Sequence, residues 1–169
     1  SEQALSDLAS TVDDTGGVCL VPAFAGLGAP HWHDNARGLI CGMSLGTTPA
    51  HIARAAFQAI ALQIRDVFAA MEADLDTVLP MLSIDGGASR NDMLAQLLAD
   101  ILDRPIRRMG LPEASALGVA RMAATHFATR PDWTEKGGCT FTATMTESTR
   151  TEILTRWRDG LARTVLAQA

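Results

Sequence analysis

An α/β fold with a mostly parallel sheet flanked by helices is predicted for this chain of 169 residues. Short apolar runs bounded by glycine and proline alternate with longer stretches whose apolar residues recur at helical spacing. Strands separated by helices imply parallel connections. Apolar residues make up 47% of the chain and charged residues 20%, enough to build one core. A strand that runs straight into Gly86-Gly87 and then a helix completes the pattern. Open α/β sheets bind ligands at the carboxyl ends of their strands.

Residues 3–9 read as the tail of a helix. Gly16-Gly17 open the run Val18-Cys19-Leu20-Val21, closed by Pro22, which predicts a buried strand. Residues 25–37 hold Gly26, Gly28, Pro30, His31, Trp32 and His33 and read as a structured loop. Residues 38–43, Gly-Leu-Ile-Cys-Gly-Met, form a second strand candidate. A long helix follows. Thr48 is its N-cap, and Pro49 takes the first helical position, where a missing N–H costs nothing. It runs to about residue 73, with Ile52, Ala56, Ala59, Ile60, Gln63, Val67 and Ala70 on its apolar face.

Leu82-Ser83-Ile84-Asp85 is the third strand, and residues 90–102 the next helix. Pro105-Ile106-Arg107-Arg108 reads as a short strand near a sheet edge, because proline and charge suit an edge. With Arg104 it forms a basic patch expected to be solvated. Residues 113–128 predict a helix whose Glu113 complements the dipole. Pro131 and Gly137-Gly138 mark a loop. Residues 149–167 predict a final amphipathic helix with Ile153, Leu154, Trp157, Leu161 and Val165 inside. So few strands imply a piece of a larger sheet.

The formal net charge is −5, which opposes a nucleic-acid module, since such modules neutralise phosphates with clustered basic residues. No uncharged apolar run reaches the roughly 18 residues of a membrane span. The acidic, polar first residues do not resemble a signal or transit peptide. Cys19, Cys41 and Cys139 are few, distant and odd in number, against a disulfide framework. Cys19 and Cys41 read as small core residues, and a cytoplasmic setting is expected. His31, His33 and Asp34 lack a further ligand at zinc spacing, so no metal site is expected. His51, in a first helical turn, reads as a surface or interface residue.

The segment richest in chemistry is Asp85-Gly86-Gly87-Ala88-Ser89-Arg90-Asn91. Glycines let the backbone approach a ligand with no Cβ in the way. The helix that follows offers N–H groups at its start. Asn91 both donates and accepts, which suits a purine or ribose edge. Asp85 is expected to orient the turn by accepting backbone N–H bonds, the alternative being action through water on a bound ligand. The plainer alternative is an ordinary strand-to-helix turn with Ser89 as N-cap.

Gly38-x-Ile40-x-Gly42-Met43 with His51-Ile52-x-x-Ala55-Ala56-Phe57-Gln58 resembles the second signature of the FGGY carbohydrate kinases. The segment from Val21 to Trp32, continued by Ala36-Arg37-Gly38, resembles one typical of the family's glycerol-phosphorylating members. Gln63-x-Arg65-Asp66-Val67, Asp85-Gly86-Gly87-Ala88 with Asn91, Asp100-Ile101-Leu102 and Glu113-x-x-Ala116-Leu117-Gly118 follow in the family's order. The likeness spans residues 17–125, and Trp157 suits the family's last helix.

The resemblance implies part of an actin-like (ribonuclease H-like) ATPase domain, with ATP in a cleft between two domains. It implies transfer of the γ-phosphoryl group of Mg-ATP to a polyol hydroxyl. With glycerol as substrate, the products are sn-glycerol 3-phosphate and ADP. Gly86, Gly87 and Ala88 match the family's adenosine-binding turn and Asn91 its adenine-side contact. Residues 1–169 then correspond to the C-terminal portion of the nucleotide-binding domain. The N-terminal domain, with the polyol site and the catalytic carboxylate, has no counterpart, nor do the phosphate-binding segments. No catalytic residue or metal ligand is therefore assigned here. Mg2+ and phosphate contacts are expected mostly elsewhere, and the chain alone is expected to be inactive. A homo-oligomer is expected. His31 and Gln58 depart from the family's usual aromatic and Glu, which bears on substrate choice. Two alternatives stand: a kinase of another polyol or sugar, and a non-catalytic nucleotide-binding or subunit-interaction module.

Overall fold

The structure is a computed structural model that describes residues 2–110, 114–126 and 137–166. The expectations for Glu113, Pro131 and residue 167 lie outside these. A short helix α1 (Glu2–Ala9) leads to the strands β1 (Cys19–Val21) and β2 (Leu39–Cys41). The long helix α2 (Pro49–Leu75) follows, then β3 (Leu82–Ile84), α3 (Asp92–Leu102) and β4 (Ile106–Met109). The chain continues through α4 (Ala114–His126), β5 (Gly138–Phe141) and α5 (Glu147–Leu166).

The α/β class holds, but the sheets are mixed rather than mostly parallel. β1 and β2 pair antiparallel, with Cys19 opposite Cys41. β3 and β4 pair parallel, as a helical crossover demands. β5 adds antiparallel on the far side of β4, with Arg108 opposite Cys139. β5 falls where the sequence predicts a loop at Gly137-Gly138. Its presence makes β4 the central strand of three, so the edge expected at Arg107-Arg108 is corrected.

Thr48 caps α2 in extended backbone, as expected, and Pro49 begins the helix. The third helical residue is His51, whose Nδ1 accepts the Thr48 N–H at 3.0 Å. The His51 ring lies against Gly16, where an added Cβ would come within 2.9 Å of it. His51 is thus half-buried and structural, not a surface residue. α2 ends at Leu75 on Asp76, which takes a left-handed conformation.

The buried face of α2 differs from the expected one. Ala59 of the predicted face is buried, but the rest of the core side is Ala53, Phe57, Ala61, Leu62 and Phe68, while Ile60 and Val67 of the predicted face are exposed. Met71 and Leu75 continue that exposed stripe. The core lies between α2, α3, α5 and the two sheets, with Val21, Ile101, Ile106 and Trp157 fully enclosed. α5 brings Ile153 and Trp157 inside, while Val165 is exposed against expectation. At Gly160, α5 approaches β1 so closely that a Cβ would sit 2.9 Å from Cys19 Sγ.

One buried carboxylate ties three segments together. Asp66 on α2 accepts the Trp157 indole N–H at 2.6 Å. The same oxygen lies 2.9 Å from His31 Nε2, and the other 3.2 Å from Arg65. Burial of the charge is tolerated because both oxygens have partners. Asp100 does similar work on α3. It accepts the backbone N–H groups of Thr144 and Met145, at 2.7 and 3.1 Å, and so holds the return from β5 to α5.

Candidate functional site

The turn after β3 takes the form that its glycines permit. Gly86 has φ +86, a region that side chains rarely adopt. Gly87 has φ −58 and ψ −51 and opens a single 3-10 turn over Ala88–Arg90. Ser89, buried, closes the turn from within by donating its hydroxyl to the Gly86 carbonyl at 2.7 Å. A Cβ built on Gly86 or Gly87 would meet nothing within 4 Å, so both backbones face open space.

Ser89 is not the N-cap of the following helix. That position belongs to Asn91, whose Oδ1 accepts the Leu94 N–H at 3.1 Å. Its Nδ2 donates to the Ser6 hydroxyl of α1, also at 3.1 Å. Asn91 therefore fastens the turn to two helices. Its second amide N–H and its second oxygen lone pair are unengaged among the described residues. Asp85 also differs from expectation. It is exposed and accepts no hydrogen bond among the described residues, so Ser89 orders the turn in its place.

Arg108 supports the far side of the turn. From β4 its Nη1 donates to the carbonyl of Ser89 at 3.1 Å and pairs with Asp92 at 2.6 Å. The Asp92 carboxylate drives the guanidinium's affinity for its proton still higher. The guanidinium also stacks 5.2 Å from the centre of the Phe141 ring on β5. The basic patch expected to be solvated is thus engaged. Arg104 too donates to the Leu79 carbonyl at 3.1 Å. The sequence holds no signal for the supporting roles of Ser6 and Arg108, which come from elements far from the turn in sequence.

Gly86, Gly87, Ala88 and Asn91 are consecutive parts of one surface turn at the carboxyl end of β3. A larger concavity of about 390 Å³ lies elsewhere, between α2 and the loop after β1, lined by Gly28, Ala29, Ile64, Val67 and Phe68. None of the turn residues lines it. No group of three or more His, Cys, Asp or Glu residues able to hold a metal ion occurs among the described residues. No helix among them is long and apolar enough to cross a membrane.

The model of the FGGY family of carbohydrate kinases, C-terminal domain, matches residues 1–127, and the chain belongs to that family. Among its relatives, the glycerol kinase of Acinetobacter baylyi is 59% identical over 119 residues, 70% of this chain and 24% of that protein. The glycerol kinase of Dechloromonas aromatica is 43% identical over 170 aligned positions, 98% of this chain and 34% of that protein. The crystal structure of Plasmodium falciparum glycerol kinase with ADP superposes with a TM-score of 0.80 at 28% identity, covering 96% of this chain and 34% of its own. A ligand-bound xylulose kinase from Lactobacillus acidophilus shares the fold, with a TM-score of 0.81 at 23% identity over 99% of this chain and 35% of its own. The chain spans about a quarter to a third of the length of the curated relatives it matches.

Proposed function

We propose that this chain supplies the nucleoside-binding part of an ATP-dependent kinase that phosphorylates glycerol, giving sn-glycerol 3-phosphate and ADP. The observation that carries this reading is the 43% identity to a glycerol kinase along 98% of the chain. The open backbone at Gly86 and Gly87 supports it locally. A nucleoside can lie directly on the peptide planes there, with no side chain between.

In this reading Gly86, Gly87 and Ala88 receive the adenosine, and Asn91 offers its unengaged N–H or oxygen toward the base. ATP supplies the phosphoryl group. The residues of this chain bind and orient its nucleoside end, which fixes the reacting end in place by position alone. Ser89 and Arg108 hold the turn to one geometry. Glycerol, Mg2+ and the phosphates then fall to the parts of the relatives that this chain does not cover. The reading includes a cytoplasmic setting and self-association.

The test is a hybrid kinase in which this chain replaces the matching third of the Dechloromonas aromatica enzyme. A coupled ADP-release assay should show glycerol-dependent turnover by the hybrid and none by the chain alone. Turnover by the chain alone would overturn the division of labour. A folded hybrid that binds glycerol but no ADP would overturn the nucleoside-binding assignment.

A further inference from the structure

We propose that Cys19 and Cys41 form a modification site, a cross-strand thiol pair that closes to a disulfide when a peroxide oxidises Cys41. Nothing in the proposed kinase activity requires this pair, and it lies on the β1–β2 ribbon, away from the Gly86 turn.

The geometry begins with register. Cys19 and Cys41 are direct partners on the antiparallel strands. Opposed residues of such a pair have Cα atoms roughly 4.5–5.5 Å apart, inside the range of about 4.4–6.8 Å that a disulfide spans. Their Cβ atoms start roughly 4.5–5.5 Å apart and need to reach about 3.5–4.5 Å. Three residue pairs make up this ribbon, so a small tightening is not resisted by a long ladder.

The two sulfurs are unequal. Cys19 is buried, roofed by Gly160 of α5, whose missing side chain leaves room for Sγ. Cys41 is half-buried and is the sulfur a small oxidant reaches first. Burial, and then the adjoining Cys41 thiol, push the Cys19 thiol up to about 11, while Arg156 and Arg163 on α5 pull it weakly down. Cys19 therefore waits as a neutral thiol beside its partner, unreactive until that partner changes.

The chemistry balances in two steps. Cys41 sulfur attacks one peroxide oxygen, the O–O bond breaks, an S–O bond forms, and the other oxygen leaves as water. Cys19 sulfur then attacks Cys41 sulfur. The S–S bond forms, the S–O bond breaks, and hydroxide leaves as water with the proton of the Cys19 thiol. Hydrogen peroxide takes the two electrons that the two thiols give up. The product joins the strands that bracket residues 22–38, the loop carrying His31 to Asp66.

The test uses the full chain with Cys139→Ser, which removes the exposed third thiol. Trypsin cuts after Arg37, so Cys19 and Cys41 fall on the separate peptides 1–37 and 38–54. After hydrogen peroxide and alkylation, the two peptides should appear joined, lighter by two hydrogens, and separate again on reduction. Cys41→Ser in the same background should abolish the joined species and leave Cys19 alkylatable after unfolding. The oxidised chain should also melt several degrees higher than the reduced one. Recovery of Cys41 as sulfinic or sulfonic acid with Cys19 separately alkylated would overturn the proposal. So would two unmodified thiols after peroxide exposure.

Discussion

Gly87→Val separates a binding turn from a mere connection. Gly87 already has helical φ and ψ, which a β-branched residue accepts, and its Cβ would touch nothing within 4 Å. The bond from the Arg90 N–H to the Gly87 carbonyl, at 3.2 Å, uses backbone only and survives. The fold should therefore lose nothing from native contacts, as for other exposed substitutions. Loss of unfolded-state freedom at a former glycine adds about 0.4–1 kcal/mol in the stabilising direction. A nucleoside lying on the turn would meet the new isopropyl group in the same open space and be pushed off the backbone. Its affinity should fall about tenfold or more, which is about 1.4 kcal/mol. Gly86→Ala does the reverse, because φ +86 strains any side chain, so that variant should lose stability first. Calorimetric titration of ADP into the hybrid kinase, with thermal melts of each variant, reads both quantities. Unchanged ADP affinity in a normally melting Gly87→Val variant would refute the nucleotide assignment.

Three further outcomes are expected. Asp66→Ala leaves the enclosed Trp157 N–H without its acceptor and should cost about 1–3 kcal/mol in urea unfolding; a loss under about 0.5 kcal/mol would remove Asp66 as a structural hub. The Cys19 thiol, raised from 9.0 to about 11, favours the folded state below pH 9, and that contribution is lost as pH rises through 11. Stability should fall by up to roughly 2–3 kcal/mol over that window in the wild type and much less in Cys19→Ala, compared by urea titration at each pH. The exposed stripe of Ile60, Val67, Met71 and Leu75 should bind an apolar dye, and Val67→Glu should cut the fluorescence; a chain that binds none would mean the stripe is covered by self-association or too broken to act as a patch.

The helices were readable because they are long and their starts carry chemistry. Thr48-Pro49 marks the entry to α2 within one residue, and the apolar spacing of α3 leads to its buried Leu94, Leu97, Leu98 and Ile101. The face of α2 was not readable. Apolar residues lie on both sides of this helix, and periodicity reports a stripe without saying which stripe meets the core. β5 was hidden for a different reason. Gly138-Cys139-Thr140-Phe141 is short and opens on a glycine that reads as a turn, and its pairing with β4 makes it a strand. That pairing also turned the arginines of β4 from an imagined edge into supports of the neighbouring turn. At the candidate site Gly86 was legible because its φ of +86 is one that side chains rarely adopt. The double duty of Asn91 was not, since Ser6 is 85 residues away in sequence.

The bond between Asp66 and Trp157 also sets a schedule for the chain as it is made. Trp157 follows Asp66 by 91 residues, so at translation rates of about 5–20 residues per second its arrival lags by roughly 5–20 s. Through that interval α2 and the β1–β2 ribbon are complete but unroofed, because Ile153, Trp157 and Gly160 all belong to the helix still to come. The nascent chain therefore carries a hydrated carboxylate and an open apolar floor until its last helix emerges. A ribosome stalled short of Trp157 would hold a client for chaperones, and the core closes only after the helix carrying Ile153, Trp157 and Gly160 has left the exit tunnel.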